Sequence, residues 1–174
     1  GEQGYTIPYP IQSKAIPAIL EGKDVLGIAK TGSGKTASYV LPILSQMIER
    51  PKAKNRHVDV LVLLPTRELA VQVQDVFYQF CHHLPDRIKA IAVYGGVSIN
   101  PQMIGLQNVN ILVATPGRLL DLVESKSIKS NPATVINLCT LNPDLNEQSL
   151  ITKLCESFQK TYNQEIQLVE IGNF

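Results

Sequence analysis

Ala29-Lys30-Thr31-Gly32-Ser33-Gly34-Lys35-Thr36 is the stretch on which the reading of this chain turns. It lies between a short apolar run and a segment of helical period, the strand-to-helix context that a phosphate-cradling loop requires. Gly32 and Gly34 let the backbone turn tightly and bring its N–H groups onto phosphate oxygens. The helix that follows adds partial positive charge at its N-terminus. Thr31 and Ser33 complete the loop. Lys35 is placed to reach β- and γ-phosphates, and the Thr36 hydroxyl to bind Mg²⁺. Ala29 stands where the general pattern has glycine, a small residue in both cases. A glycine-rich turn with a chance Lys-Thr is the competing reading, and the full spacing with correct flanks weighs against it.

Outward from this loop, apolar runs and helical periods alternate, which argues for an α/β fold with a parallel sheet and helices on both faces. Residues 11–20 read as a helix closed by Gly22, and 24–29 as a short buried strand. Residues 35–50 read as a helix bent or ended early by Pro42. Residues 60–64 form an unbroken apolar run of strand length, as a strand buried on both faces requires. Residues 67–83 read as an amphipathic helix with Leu69, Val73, Val76, Phe77 and Phe80 on one face. Residues 88–94 and 110–114 are further strands, and 119–124 continue a helix that starts after Pro116. Beyond Lys129, residues 134–139 read as a strand, 147–162 as a helix and 165–171 as a last strand.

The 174 residues suffice for one domain with a real core. With 44% hydrophobic and 18% charged residues the composition is that of a soluble globular protein. No apolar run approaches the ~20 residues needed to span a bilayer. The start shows neither the charged nor the apolar region of a signal peptide, and its lack of Met suggests a fragment. Cys81, Cys139 and Cys155 are widely spaced, which favours buried thiols in a reducing cytoplasm over a disulfide or metal. His57, His82 and His83 lack metal-ligand spacing and read as solvated. The formal net charge of +1 is unevenly spread. Residues 1–130 hold fourteen Lys/Arg against ten Asp/Glu, and residues 131–174 hold two against five. The second stretch also carries six of the ten Asn, so the composition shift suggests a seam near residue 130.

Four further stretches turn a general phosphate loop into a family pattern. Gly4-Tyr5-Thr6-Ile7-Pro8-Tyr9-Pro10-Ile11-Gln12, followed by Ala15-Ile16-Pro17, resembles the Q motif of DEAD-box RNA helicases. Pro65-Thr66-Arg67-Glu68-Leu69-Ala70 is similar to motif Ia, Gly95-Gly96 to the GG element and Thr115-Pro116-Gly117-Arg118 to motif Ib. Their order agrees with the family over residues 1–128, and Val93–Ile99 looks like the bacterial RhlE-like branch.

The resemblance implies a RecA-like P-loop NTPase lobe with ATP and Mg²⁺ as cofactors and RNA as partner. It implies that Tyr5 packs near the base and that Gln12 selects adenine, since its amide both donates and accepts. Pro65, Thr66, Arg67, Gly95, Gly96, Thr115, Pro116, Gly117 and Arg118 would bind RNA. Positions just after parallel strands or at helix starts face the ligand crevice. Backbone N–H groups and Arg at such points hold phosphates without reading bases.

The chain departs from the pattern in places. Tyr9 replaces the usual Thr between the two prolines. The aromatic residue upstream of the Q motif would precede Gly1. Motif II, Asp-Glu-Ala-Asp, occurs nowhere in the chain, nor do Ser-Ala-Thr and the second lobe. The lobe is therefore expected to stop before motif II and to hold nucleotide without hydrolysing it. For residues 131–174 two readings compete. Leu141-Asn142-Pro143-Asp144 is a degenerate motif II completing the lobe, or the stretch resembles the start of flavodoxin-like NAD(P)H-dependent FMN reductases. In the latter, which the composition shift favours, Thr140, Asn142 and Asn146 would meet the flavin phosphate, and the chain would be a fusion, a frameshift product or a misassembled gene product.

Overall fold

The computed structural model describes residues 7–23, 25, 27, 32–49, 58–82, 84, 88–128 and the strand 134–137. Two compact units emerge, one holding Gly1–Pro51 and the other Lys52–Ser149. In the first, α1 (Pro10–Leu20) packs beside α2 (Lys35–Glu49). Pro10 opens α1, where its fixed φ suits a helix and no N–H is missed. Gly22, at φ +75°, closes it: its N–H donates to Ile19 O and that of Lys23 to Ala18 O, both at 3.0 Å. This pair of bonds satisfies carbonyls left over at the helix end. Hydrogen bonds tie the two helices near their starts, Gln12 to Gly34, and near their ends, Gln46 to Ile19, so they run side by side in the same direction.

Pro42 does not end α2, which continues to Glu49. Proline lacks the N–H that would bond the Ser38 carbonyl and crowds that carbonyl. Ser38 is a small, buried residue whose hydroxyl turns back to Lys35 O at 2.6 Å. Pro42 itself is buried among Val40, Ile43 and Leu44, so packing holds a helix that local propensity would have cut. The strand expected at 24–29 lies largely outside the described residues.

The second unit contains β1 (Val60–Leu63), α3 (Arg67–Cys81), β2 (Ala90–Val93), α4 (Ile99–Gly105), β3 (Ile111–Ala114), α5 (Pro116–Glu124) and β4 (Thr134–Asn137). They build a parallel sheet of order β2-β3-β1-β4. β1 (Val-Leu-Val-Leu) and β3 (Ile-Leu-Val-Ala) are buried throughout, as unbroken apolar strands in the middle of a parallel sheet must be. α3 lies against β2 and β3 with Ala70, Val73 and Phe77 buried. It is two residues shorter than expected, and Leu69, Val76 and Phe80 flank its buried stripe at intermediate exposure. Cys81 is only half-buried, against the expectation of a buried thiol. Burial still pushes that thiol up to about 11, so it stays protonated at neutral pH.

Helix α4 was not expected from the sequence. Pro101 and Gly105 within seven residues blur any helical period. Pro101 is its third residue, however, where the N–H would have no partner within the helix anyway.

Candidate functional site

The register places the ends of three neighbouring strands level. Leu63 pairs with Ala114, and Ala114 with Val93. The segments that follow, Pro65-Thr66-Arg67, Tyr94-Gly95-Gly96 and Thr115-Pro116-Gly117-Arg118, therefore leave the sheet at one carboxyl edge. Three stretches far apart in the chain are brought together there.

Each segment is shaped locally. Thr66 caps α3, its hydroxyl accepting from Leu69 N–H at 3.3 Å. Arg67 is exposed, and its guanidinium lies 5.2 Å from the centre of the Tyr94 ring, within cation–π range. Gly95 and Gly96 are exposed, and Gly96 takes φ +80°, a conformation few residues other than glycine adopt. Pro116 opens α5, directly after Thr115 in extended backbone. Arg118, expected to bind RNA, is only 7% exposed. One terminal nitrogen donates to Val97 O at 2.7 Å and its Nε to Asp121 at 3.3 Å. The other terminal nitrogen is buried without a partner. A buried charged donor left unpaired is costly, so this atom calls for an acceptor.

In the first unit Gly32 and Gly34 stand at φ +80° and +81° immediately before α2 begins at Lys35. The Ser33 hydroxyl is buried with no hydrogen-bond partner. Gln12 is 4% exposed. Its Oε1 accepts from Tyr9 N–H at 3.0 Å and its Nε2 donates to Gly34 O at 3.2 Å. Among the described residues, these bonds leave one N–H and one lone-pair direction of the amide unused. A side chain at Gly34 would put its Cβ 2.6 Å from Gln12 Nε2, so this glycine is required by space as well as by φ. Burial raises the Tyr39 phenol well above its usual range, opposed in part by the neighbouring Thr36 side chain. The phenol oxygen makes no hydrogen bond of normal geometry. Tyr5 and Thr31 lie outside the described residues.

Sequence reasoning missed Gln102, on α4, whose side chain grips both backbone groups of Tyr94: Tyr94 N–H donates to Oε1 and Nε2 donates to Tyr94 O, each at 3.1 Å. It missed Tyr94 as the seat of Arg67 for the same reason, because neither contact follows from any periodicity.

A parallel α/β sheet carrying glycine- and arginine-bearing turns at its carboxyl edge, and a loop with two positive-φ glycines opening a helix, define a RecA-like domain. A crystal structure of a hypothetical ATP-dependent RNA helicase from Sulfolobus tokodaii superposes with TM-score 0.69 at 28% identity, over 98% of this chain and 54% of that one. The chain belongs to the DEAD/DEAH box helicase family, whose model matches residues 9–138. It is 44% identical over 138 residues to the DEAD-box ATP-dependent RNA helicase RhpA of Helicobacter pylori, covering 78% of this chain and 26% of that protein. It is 45% identical over 139 residues to DEAD-box ATP-dependent RNA helicase 20 of Arabidopsis thaliana, covering 78% of this chain and 27% of that protein. The chain thus spans about a quarter of the length of these relatives.

Proposed function

We propose that this chain is the ATP- and RNA-binding lobe of an ATP-dependent RNA helicase. The phosphate loop carries the reading: two glycines at positive φ, the Ser33 hydroxyl buried without a partner, and a helix starting at the next residue. These features fit a nucleotide. The Gly32–Thr36 backbone and Lys35 would hold its phosphates, Gln12 and Tyr5 its base, and Thr36 would supply a Mg²⁺ ligand. Mg²⁺ supplies charge neutralisation on the phosphates when bound. At the sheet's carboxyl edge Thr66, Arg67, Gly96 and Gly117 offer donors to a phosphate backbone, with the buried Arg118 behind them, which suits RNA bound without regard to sequence. The RhlE-like branch stays a reading of Val93–Ile99, and the Helicobacter relative is compatible with it. Among the described residues no helix is long and apolar enough to cross a membrane, which is compatible with the cytoplasm as the place of action.

Residues 134–137 pair with β1 in register, Asn137 beside Leu63, and the family match runs to residue 138. Both observations favour a lobe that continues past the composition seam near residue 130. Thr140, Asn142 and Asn146, on which the flavin reading depends, lie outside the described residues.

The test is titration of a fluorescent adenine nucleotide against the chain and its Lys35→Ala variant. Binding should weaken at least about tenfold, the loss of one charge-assisted phosphate contact, and unlabelled ATP should displace the probe better than GTP. Equal affinities in the two proteins would sink the proposal.

A further inference from the structure

We infer that Gln102 is a positioning residue for RNA, holding the Gly95-Gly96 turn in its phosphate-receiving shape through the backbone of Tyr94. The inference rests on the RNA-binding reading above. Two consecutive glycines give the most pliable backbone available, and freezing them on a ligand costs conformational entropy. In this chain the pair is fastened on both sides before any ligand arrives. On one side Gln102 holds Tyr94 by donor and acceptor together, at 3.1 Å each. On the other, the buried Arg118 holds the Val97 carbonyl at 2.7 Å. Between these clamps Gly95 and Gly96 are exposed.

Gln102 also serves Arg67 indirectly. The Tyr94 ring beneath the Arg67 guanidinium is borne by the residue whose backbone Gln102 grips. Tyr94 follows β2, which among the described residues has β3 alone as neighbour, so there its backbone has a ladder on one side. The Gln102 side chain stands in for a ladder on the other. Its carboxamide donates and accepts at once without any change of protonation. The effect on RNA would come from pre-organisation, not from contact with the ligand.

The chemistry provides its own control. In a Gln102→Glu variant the ionised carboxylate can accept from Tyr94 N–H but meets the Tyr94 carbonyl lone pair to lone pair. Protonated, the carboxyl both donates and accepts, and restores the pair of bonds. Binding of a fluorescein-labelled oligouridylate to the full chain should be measured by anisotropy at low salt, at pH 7.5 and pH 5.0, beside wild type. At pH 7.5 Gln102→Glu should bind about tenfold more weakly, the loss expected for one hydrogen bond and a new repulsion. At pH 5.0 the ratio to wild type should shrink several-fold. Gln102→Met, of similar length and without polar atoms, should be weakened at both pH values alike. Adenine nucleotide affinity should not change in either variant.

Equal RNA affinity of wild type and both variants would overturn the role of Gln102 alone. A loss in Gln102→Glu that low pH does not relieve would do so too, and so would a parallel loss of adenine nucleotide affinity, which is what a general defect of the fold would produce. No RNA binding by wild type would remove the RNA reading and this inference together. Should the variants fail to fold, amide exchange in the unmodified chain decides: Tyr94 N–H should be protected, and free exchange there contradicts the clamp.

Discussion

Two residues in equivalent places show how much one backbone angle matters. α1 and α5 end in the same pattern of hydrogen bonds. After α5, Lys126 N–H donates to Val123 O and Ser127 N–H to Leu122 O, both at 3.0 Å. The residue at the bend after α1 is Gly22, at φ +75°, and after α5 it is Lys126, at φ +54°. A side chain at positive φ costs about 1–2 kcal/mol, of which glycine's greater freedom in the unfolded chain would return about 0.5–1. Lys126→Gly should therefore stabilise the protein by up to about 1 kcal/mol, raising Tm by about 2–4 °C. Calorimetry or a thermal melt checks it, and a drop in Tm would show that the Lys126 side chain makes contacts worth more than the strain. Gly34 is the opposite case, where its φ of +81° disfavours any side chain and an added Cβ, 2.6 Å from Gln12 Nε2, would displace that amide.

Among the elements, α3 is the one whose amphipathicity the sequence displays and the fold uses. Phe77 is fully buried in the sheet-bearing unit, while Tyr78 next to it is 69% exposed. Phe77→Ala should cost about 3–5 kcal/mol through lost burial and the cavity left behind. Tyr78→Ala should change stability by less than about 0.5 kcal/mol. Urea denaturation of the two variants tests the contrast, and similar midpoints would mean that α3 packs on another face. The same helix protects the sheet edge: the Gln74 side chain accepts from Ala92 N–H on β2. With Gln102 on Tyr94, two glutamines thus bond the side of β2 that faces away from β3, at the edge of the sheet formed by the described residues.

The whole chain raises the question of turnover. Moving a phosphoryl group to water requires Mg²⁺ fixed in place and a water oriented for attack. In the family resemblance the acidic pair of motif II does both, in the stretch following Arg118. This chain has no Asp or Glu between Glu124 and Asp144. Thr36 is a single neutral ligand, too little for an ion that demands near-octahedral oxygen geometry. We predict that nucleotide binding is not accompanied by RNA-stimulated phosphate release from ATP. The assay compares release with and without RNA, with Lys35→Ala as control for contamination. RNA-stimulated release that vanishes in that variant would show that another carboxylate holds the metal. RNA binding should meanwhile fall steeply with salt and depend little on base sequence if, as proposed, its contacts are to phosphates.

What the sequence by itself determined is local or carried by unbroken pattern. The phosphate loop was legible because two glycines, Lys35 and Thr36 must stand at fixed spacing between a strand and a helix. β1 and β3 were legible because a strand buried on both faces has no polar residue to confuse it. The order of the Arg67, Gly96 and Arg118 turns named the family. Tertiary structure decided the rest. Packing carried α2 through Pro42, and α4 formed across a proline that happens to fall where no hydrogen bond is lost. Arg118, an arginine any sequence reading would put at the surface, is buried because Val97 and Asp121 accept from it. The grip of Gln102 on Tyr94 arises only when α4 folds back onto the end of β2. Hydrogen bonds between distant backbone and side-chain groups leave no period in a sequence, so such partners become visible only once the chain has folded.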